Sequence, residues 1–243
     1  MAYDDHRLAA IYDADNPDGD DHDYYRALAD RVDATQIVDL GCGTGILTVT
    51  LASPNRNIVG IDPAPAMLDY AAARPGGDTV EWKLGTSELI DTDAADLVVM
   101  SGNVAMHIIG DAWHDTLADI ARGLRPGGTL AFESRNPATK AWIEWNDELA
   151  ERTTSVGQLR ESTTTTAPDE HGVVTMYCHN EFVDAGGVLD VESRLQFRTG
   201  QHITADLKNV GLEVRNIWRD WTRTPFTDTP EERFMVFEAV RVP

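Results

Sequence analysis

Three glycines at alternate positions, Gly41-Cys42-Gly43-Thr44-Gly45, follow directly on the short β-branched run Gln36–Leu40. Glycine permits positive φ and lets a ligand approach the backbone closely. If Ile46–Ala52 starts a helix, its first N–H groups face the same loop and favour a polar or anionic group there. Two ligand classes use such a turn. Dinucleotides want G-x-G-x-x-G, whereas the spacing here is G-x-G-x-G with Ile46 next. Asp39 lies just before the glycines, where a pyrophosphate gains nothing and a cationic amino-acid group does. Asp62 closes the next strand, seventeen residues past Gly45. A carboxylate there accepts two hydrogen bonds from ribose hydroxyls. NAD-binding proteins share that feature, so alone it does not discriminate.

The elements that position these residues alternate. Strands are expected at Gln36–Leu40, Asn57–Asp62, Val80–Leu84, Ala95–Met100 and Thr129–Ser134, and helices at Ala64–Ala73 and Trp113–Leu124. Upstream, Tyr3–Tyr12 and Asp20–Val32 read as helices about the turn Asn16–Gly19. Ala95–Met100 is nearly all apolar, as a central parallel strand is. The β-α-β-α order implies an α/β fold: a Rossmann-like, doubly wound, seven-stranded and mostly parallel sheet whose ligand edge is the carboxyl end of the strands. Glu213–Arg219 and Phe234–Arg241 close it as an antiparallel pair. Residues 1–137 and 201–243 form this domain. Residues 138–200 read as an insertion that covers the ligand edge: a helix over Ala138–Leu149, then three antiparallel strands at 152–166, 173–184 and 188–199.

Four stretches resemble, in order, the motifs of class I S-adenosylmethionine-dependent methyltransferases: Val38–Thr48 (VDLGCGTGILT), Val59–Leu68 (VGIDPAPAML), Asp96–His107 (DLVVMSGNVAMH) and Leu124–Phe132 (LRPGGTLAF). Ile11-Tyr12-Asp13, Asn16-Pro17 and Phe132–Pro137 (FESRNP) resemble the small-molecule, actinobacterial-type members. The resemblance implies that S-adenosyl-L-methionine is the cofactor and S-adenosyl-L-homocysteine the product. It places Gly41, Cys42 and Gly43 against the methionine part with Asp39 near its amino group, Asp62 on the ribose, Pro63 and Met67 about the adenine, and the Ser101 carbonyl at the amino-acid end. Family members often carry Gly-Asp-Ala after the third strand. This chain has Gly85-Thr86-Ser87, so Thr86, beside Ser87, offers the adenine amino group a weaker acceptor than a carboxylate.

Methyl transfer needs alignment and exclusion of water, with a general base when the acceptor is a hydroxyl or protonated amine. His107 is a candidate base or acceptor-positioning group; the plainer alternative is a half-buried histidine packing a short helix. Asn103 either contacts cofactor or acceptor, or caps its loop. Glu133 and Arg135 end the fifth strand, where they touch substrate, pair with each other or cap the next helix. Tyr12 closes over the cofactor or anchors its helix to the core. Trp142 and Trp145 suggest an aromatic pocket, but their helical spacing favours core packing.

Composition narrows the acceptor. A net charge of −21 repels nucleic acid and anionic membranes. No apolar run approaches the ~20 residues of a membrane span, and Met1–Ala10 lacks the apolar stretch of a secretory signal. A cytoplasmic enzyme acting on a small molecule is the expectation. Cys42 and Cys178 form no CxxC pair, and no His/Cys cluster has metal-ligand spacing, so no metal is implied. Two rivals stand beside this reading: an NAD-dependent oxidoreductase on a Rossmann fold, and a non-catalytic S-adenosylmethionine-binding regulatory module.

Overall fold

In the computed structural model, which describes residues 4–242, the strand β4 (Ala95–Met100) lies at the centre of a seven-stranded sheet and is buried on both faces. Its side chains alternate: Val98 and Met100 enter one apolar cluster, Leu97 and Val99 the other. The period-2 geometry of a strand requires this split. The other strands are β1 (Gln36–Leu40), β2 (Asn57–Asp62), β3 (Val80–Leu84), β5 (Leu124–Arg135), β10 (Leu212–Trp218) and β11 (Phe234–Arg241). Their order is β10-β11-β5-β4-β1-β2-β3. β1 to β5 run parallel, and β11 runs antiparallel to both β5 and β10. The chain winds outward from β1 through β2 to β3, then returns to β4 on β1's other side. The crevice for a ligand lies at that reversal.

Helices cover both faces. On one, α6 (Asp111–Gly123) and α7 (Gly200–Asn209) bury Trp113, Leu117, Ile120, Ile203 and Leu207. On the other, α2 (Asp20–Arg31) contributes Tyr24, Tyr25 and Leu28, and α3 (Thr48–Leu51) contributes Leu51. Tyr24 donates 2.7 Å to Glu238, and the Asn216 amide does the same. This pins α2 to the antiparallel end of the sheet. The remaining helices, α1 (His6–Asp15), α4 (Pro65–Ala73) and α5 (Val104–His107), lie near the carboxyl edge. The first helix was expected from Tyr3, which lies outside the described residues.

Two expectations are corrected. α3 was expected over Ile46–Ala52, yet only Thr48–Leu51 is helical. Thr48, Val49 and Thr50 are β-branched and stiff in a helix, and Pro54 follows closely. One turn brings little helix dipole to the glycine loop. The second concerns residues 138–149, expected as a helix. They form two 3₁₀ turns, Pro137–Thr139 and Ala141–Ile143, separated by Lys140 at φ +51°. The Asn146 amide then donates to the Trp142 and Ile143 carbonyls and accepts 2.8 Å from Thr165 N–H, converting the chain to strand. Four strands follow rather than three, because Gly157 at φ +101° turns the expected 152–166 strand into a hairpin. They are β6 (Asp147–Thr154), β7 (Gly157–Thr165), β8 (Val173–Phe182) and β9 (Val188–Gln196), antiparallel in chain order.

This second sheet straddles the carboxyl edge of the first. At one end Leu159 and Phe182 pack on Leu8 and Ile11 of α1, with the Arg7 guanidinium 4.0 Å above the Phe182 ring. At the other, Val174 and Leu195 pack on Met106 of α5. Trp142 and Trp145 rest on Phe197, with ring centroids 4.8 and 5.6 Å away, so they pack the core beneath the cover. Among the described residues no helix is long and apolar enough to cross a membrane.

Phe182 is thus an anchor of the cover. Phe182→Ala should lower unfolding free energy by about 3–5 kcal/mol, the usual cost of emptying a buried phenylalanine site. Urea titration checks this; a loss under about 1 kcal/mol contradicts the anchoring role.

Candidate functional site

The glycine loop is held by β2. Gly41 N–H and Cys42 N–H donate to the Ile61 carbonyl at 2.7 and 3.1 Å, and Gly45 N–H closes a turn on the Cys42 carbonyl at 2.9 Å. Gly41 sits at φ +76°, and a Cβ there would stand 2.5 Å from Val104 Cγ2, so no larger residue fits. Asp62 completes the loop: Oδ2 accepts Gly43 N–H at 2.9 Å and Oδ1 accepts Ala64 N–H at 2.8 Å. Each oxygen keeps a second lone pair. Burial pushes the Asp62 carboxyl above its ordinary pKa, against the pull of those two N–H groups. Cys42 is buried beneath the loop against Gly60. Burial raises its thiol pKa well above normal, which makes it a small filler rather than a nucleophile.

Asp39 is fully buried. Thr48 Oγ1 donates 2.6 Å to Oδ2, but Oδ1 has no hydrogen-bond partner among the described residues. Burial pushes this carboxyl up to about 6. A buried acceptor without a donor is costly, and a cationic N–H group is the partner that its charge and isolation suit.

Beyond the loop lies a cleft of about 220 Å³. Of the residues expected at the site, Tyr12, Gly41, Cys42, Gly43, Ser101, Asn103, Glu133 and Arg135 line it. Tyr12 spans the opening: a Cβ on Gly43 would lie 4.0 Å from Tyr12 Cε1, and one on Gly102 would lie 3.7 Å from Tyr12 Oη. It also packs against Ala9, Ala64 and Met67, which anchors α1 beside the loop. Asn103 is left-handed at φ +63°. Its N–H donates to Glu133, whose other oxygen accepts from Tyr25 Oη. Arg135 Nε donates 3.2 Å to Asn103 Oδ1, and its guanidinium lies 4.2 Å above the Phe234 ring. Glu133 and Arg135 therefore do not bond each other; both fasten the turn after β4.

Other expected residues lie elsewhere. Met67 is buried under the start of α4 beside half-buried Pro63, and Thr86 is exposed at the end of β3. Ser87 was expected to contact the cofactor. It is buried and donates 2.8 Å to Asp119 of α6, which commits its hydroxyl to packing. His107 is exposed at the last position of α5, outside the cleft's lining. Sequence reasoning missed Asp13, which accepts 2.5 Å from Thr44 Oγ1 and pairs with Arg74, tying α1 to the glycine loop. It also missed Asp21, His22, Trp221 and Phe234 in the cleft wall. The Asn16-Pro17 signal was available for that wall; Trp221 lies in an irregular loop with no periodic signal. A larger cavity, about 360 Å³, opens among the opposite ends of β1, β2 and β3, and no glycine-loop residue lines it.

A family profile described as a methyltransferase domain matches residues 37–128. An uncharacterized methyltransferase of Mycobacterium tuberculosis is 39% identical over 105 residues, covering 41% of this chain and 39% of that protein. The chain thus spans about two fifths of the length of such curated relatives. A cypemycin N-terminal methyltransferase of a Streptomyces species is 25% identical over 214 residues, 85% of this chain and 84% of that one. The S-adenosylmethionine-bound structure of CalS10, an amino pentose methyltransferase from Micromonospora echinaspora, superposes with a TM-score of 0.68 at 21% identity, covering 96% of this chain and 97% of that one. That likeness supports the fold.

Glu133 generates a pH prediction. Burial pushes its carboxyl up to about 7, against about 4.3 in an unfolded chain. Between these values the folded state holds a proton that the unfolded state has lost. This contribution to stability is complete below about pH 4.3 and is lost as pH rises through about 7. Asp39 adds a slope of the same sign. Glu133→Gln should therefore gain on the parent protein by roughly 2–3 kcal/mol between about pH 5 and about pH 8 in urea titrations; a pH-independent difference contradicts an ionising, buried Glu133.

Proposed function

We propose that the chain, whose residues 37–128 match a methyltransferase domain profile, is a class I S-adenosylmethionine-dependent methyltransferase that transfers the cofactor's methyl group to a small-molecule acceptor under the four-stranded cover. The observation that carries the reading is the pair of buried carboxylates flanking the glycine loop. Asp62 clasps the loop while keeping one lone pair on each oxygen, and Asp39 Oδ1 is buried with no donor among the described residues. These groups fit a ligand that is cationic at one end and a ribose at the other.

When bound, S-adenosylmethionine supplies both the electrophilic methyl and the leaving group. The chain's own residues bind, orient and exclude water. The backbone of Gly41–Gly43 and the carbonyl of Ser101 receive the amino-acid part, with Asp39 at its ammonium. Asp62 accepts from the ribose hydroxyls. Pro63 and Met67 flank the adenine, and the Thr86 hydroxyl and Ser87 backbone receive its edge. Tyr12 closes the opening, with Asn103 beside it. Closure strengthens every charge interaction inside and shields the methyl from water. His107 lies on α5, the helix on which one end of the cover rests. It is our candidate for the base that takes a proton from the acceptor. Glu133 acts through Asn103.

An amine is the acceptor class with most support. Two similar proteins are named as an amino pentose methyltransferase and a cypemycin N-terminal methyltransferase. Asp21 and Glu133 line the cleft, and the chain's net charge is −21, a field that draws cations and repels nucleic acid.

Differential scanning fluorimetry with S-adenosylhomocysteine and NAD tests the reading: the nucleoside should raise the melting temperature and NAD should not. Preferential stabilisation by NAD overturns it, and cofactor binding without turnover across an amine panel favours a regulatory module. Asp62→Ala should weaken cofactor binding by roughly 2 kcal/mol or more through lost charge-assisted hydrogen bonds; an unchanged dissociation constant by calorimetry removes Asp62 from the ribose.

A further inference from the structure

Arg135 is the one arginine or lysine among the described residues that line the cleft. In a chain with 41 acidic residues and 20 basic ones, most guanidinium groups have a carboxylate to face, yet among the described residues Arg135 forms no ion pair. Its nearest acids are engaged elsewhere. Both oxygens of Glu133 are taken by Tyr25 Oη and Asn103 N–H, and Glu144 lies 3.4 Å from Arg233. Of the five N–H donors of Arg135, one is used, Nε to Asn103 Oδ1 at 3.2 Å. Neither terminal nitrogen meets an acceptor among the described residues.

The guanidinium is nevertheless fixed. Phe234 stacks beneath it at 4.2 Å, and Asn103, itself held in a left-handed conformation by Glu133, tethers its inner edge. The outer edge, with two parallel N–H groups, meets no acceptor among the described residues. That is the fork geometry that binds a carboxylate in bidentate fashion. Burial also lowers the Arg135 pKa below its ordinary value. The charged form is thus under-compensated as the protein stands, and an arriving anion would relieve it.

The position defines which anion. β4 lies between β1 and β5 in the sheet, so Arg135 and Asp39 stand on the two strands that flank it. Among the described residues Asp39 Oδ1 lacks a donor, and the terminal nitrogens of Arg135 lack an acceptor. A ligand that carries both an ammonium and a carboxylate supplies both missing partners. On the cofactor reading above, we propose that Arg135 clamps the α-carboxylate of the cofactor's methionine moiety, making it a cofactor-binding residue rather than a base or acid. A carboxylate carried by the acceptor has the same chemistry, and the test separates the two sources.

The test uses two ligands that differ only in that group: S-adenosylhomocysteine and its decarboxylated analogue S-adenosyl-3-thiopropylamine. Calorimetry on the parent protein, Arg135→Gln and Arg135→Lys should give three results. The parent should prefer S-adenosylhomocysteine by about tenfold or more. Arg135→Gln should lose about tenfold or more on S-adenosylhomocysteine and less than about twofold on the amine analogue. Arg135→Lys, which keeps the charge but loses the fork, should fall between. Unchanged binding of the amine analogue also certifies that each variant is folded. Equal losses on both ligands, or no loss on S-adenosylhomocysteine, overturns the clamp, the latter leaving the acceptor as the source of any anion. If Arg135→Gln does not fold, Arg135→Lys against the parent decides on the same criterion. Failure of S-adenosylhomocysteine to bind the parent protein overturns the cofactor reading and the clamp with it.

Discussion

The carboxylate of Asp62 reaches back from the end of β2 and accepts one N–H from the glycine loop and one from the turn into α4. The rest of the site depends on this clasp. It joins β1's loop to β2's end at the place where the strand order reverses, and so fixes the crevice that the doubly wound topology creates. Because each oxygen spends one lone pair on the protein, the remaining lone pairs point to fixed places. Preorganisation of this kind is what lets a carboxylate orient a ligand without first reorganising itself. The steric limits agree: Gly41 has no space for a Cβ against Val104, and Gly60 has none against Trp82 and Cys42.

α1 couples this clasp to the cover. One face of the helix serves the glycine loop through Tyr12 and Asp13. The other serves the second sheet through Leu8 and Ile11, the Arg7 contact with Phe182 and the bidentate pair of Arg152 with Asp15 at 2.8 and 2.7 Å. The surface ion pairs in this arrangement are worth little individually. The apolar cluster supplies most of the hold.

How much was legible in the sequence follows from how local each signal is. β1, β2 and β4 match their expected bounds because apolar runs ended by glycine, proline and aspartate encode them locally. The clasp was legible at the level of residue type: Asp62 at a strand end after a glycine turn implies a ligand-facing carboxylate. Its double engagement with backbone N–H groups was not, since that depends on the loop's exact path. The cover was misread for a related reason. Trp142 and Trp145 mimic helical spacing, but the break at Lys140 and the capture of Asn146 by Thr165 come from tertiary contacts. Ser87 was expected at the cofactor by its neighbourhood in sequence, and Asp119 on a distant helix claims it. The state of Arg135 was equally hidden, because a guanidinium that forms no ion pair among the described residues is defined by partners that are absent, and no motif records those.

The central claim is that the glycine loop and its aspartate clasp seat an S-adenosyl nucleoside. A crystal structure with S-adenosylhomocysteine measures this most directly. The account predicts density in the crevice over β1 and β2, with both ribose hydroxyls within hydrogen-bond distance of the Asp62 carboxylate. Density for the nucleoside at any other place, or an empty crevice at saturating ligand, contradicts it.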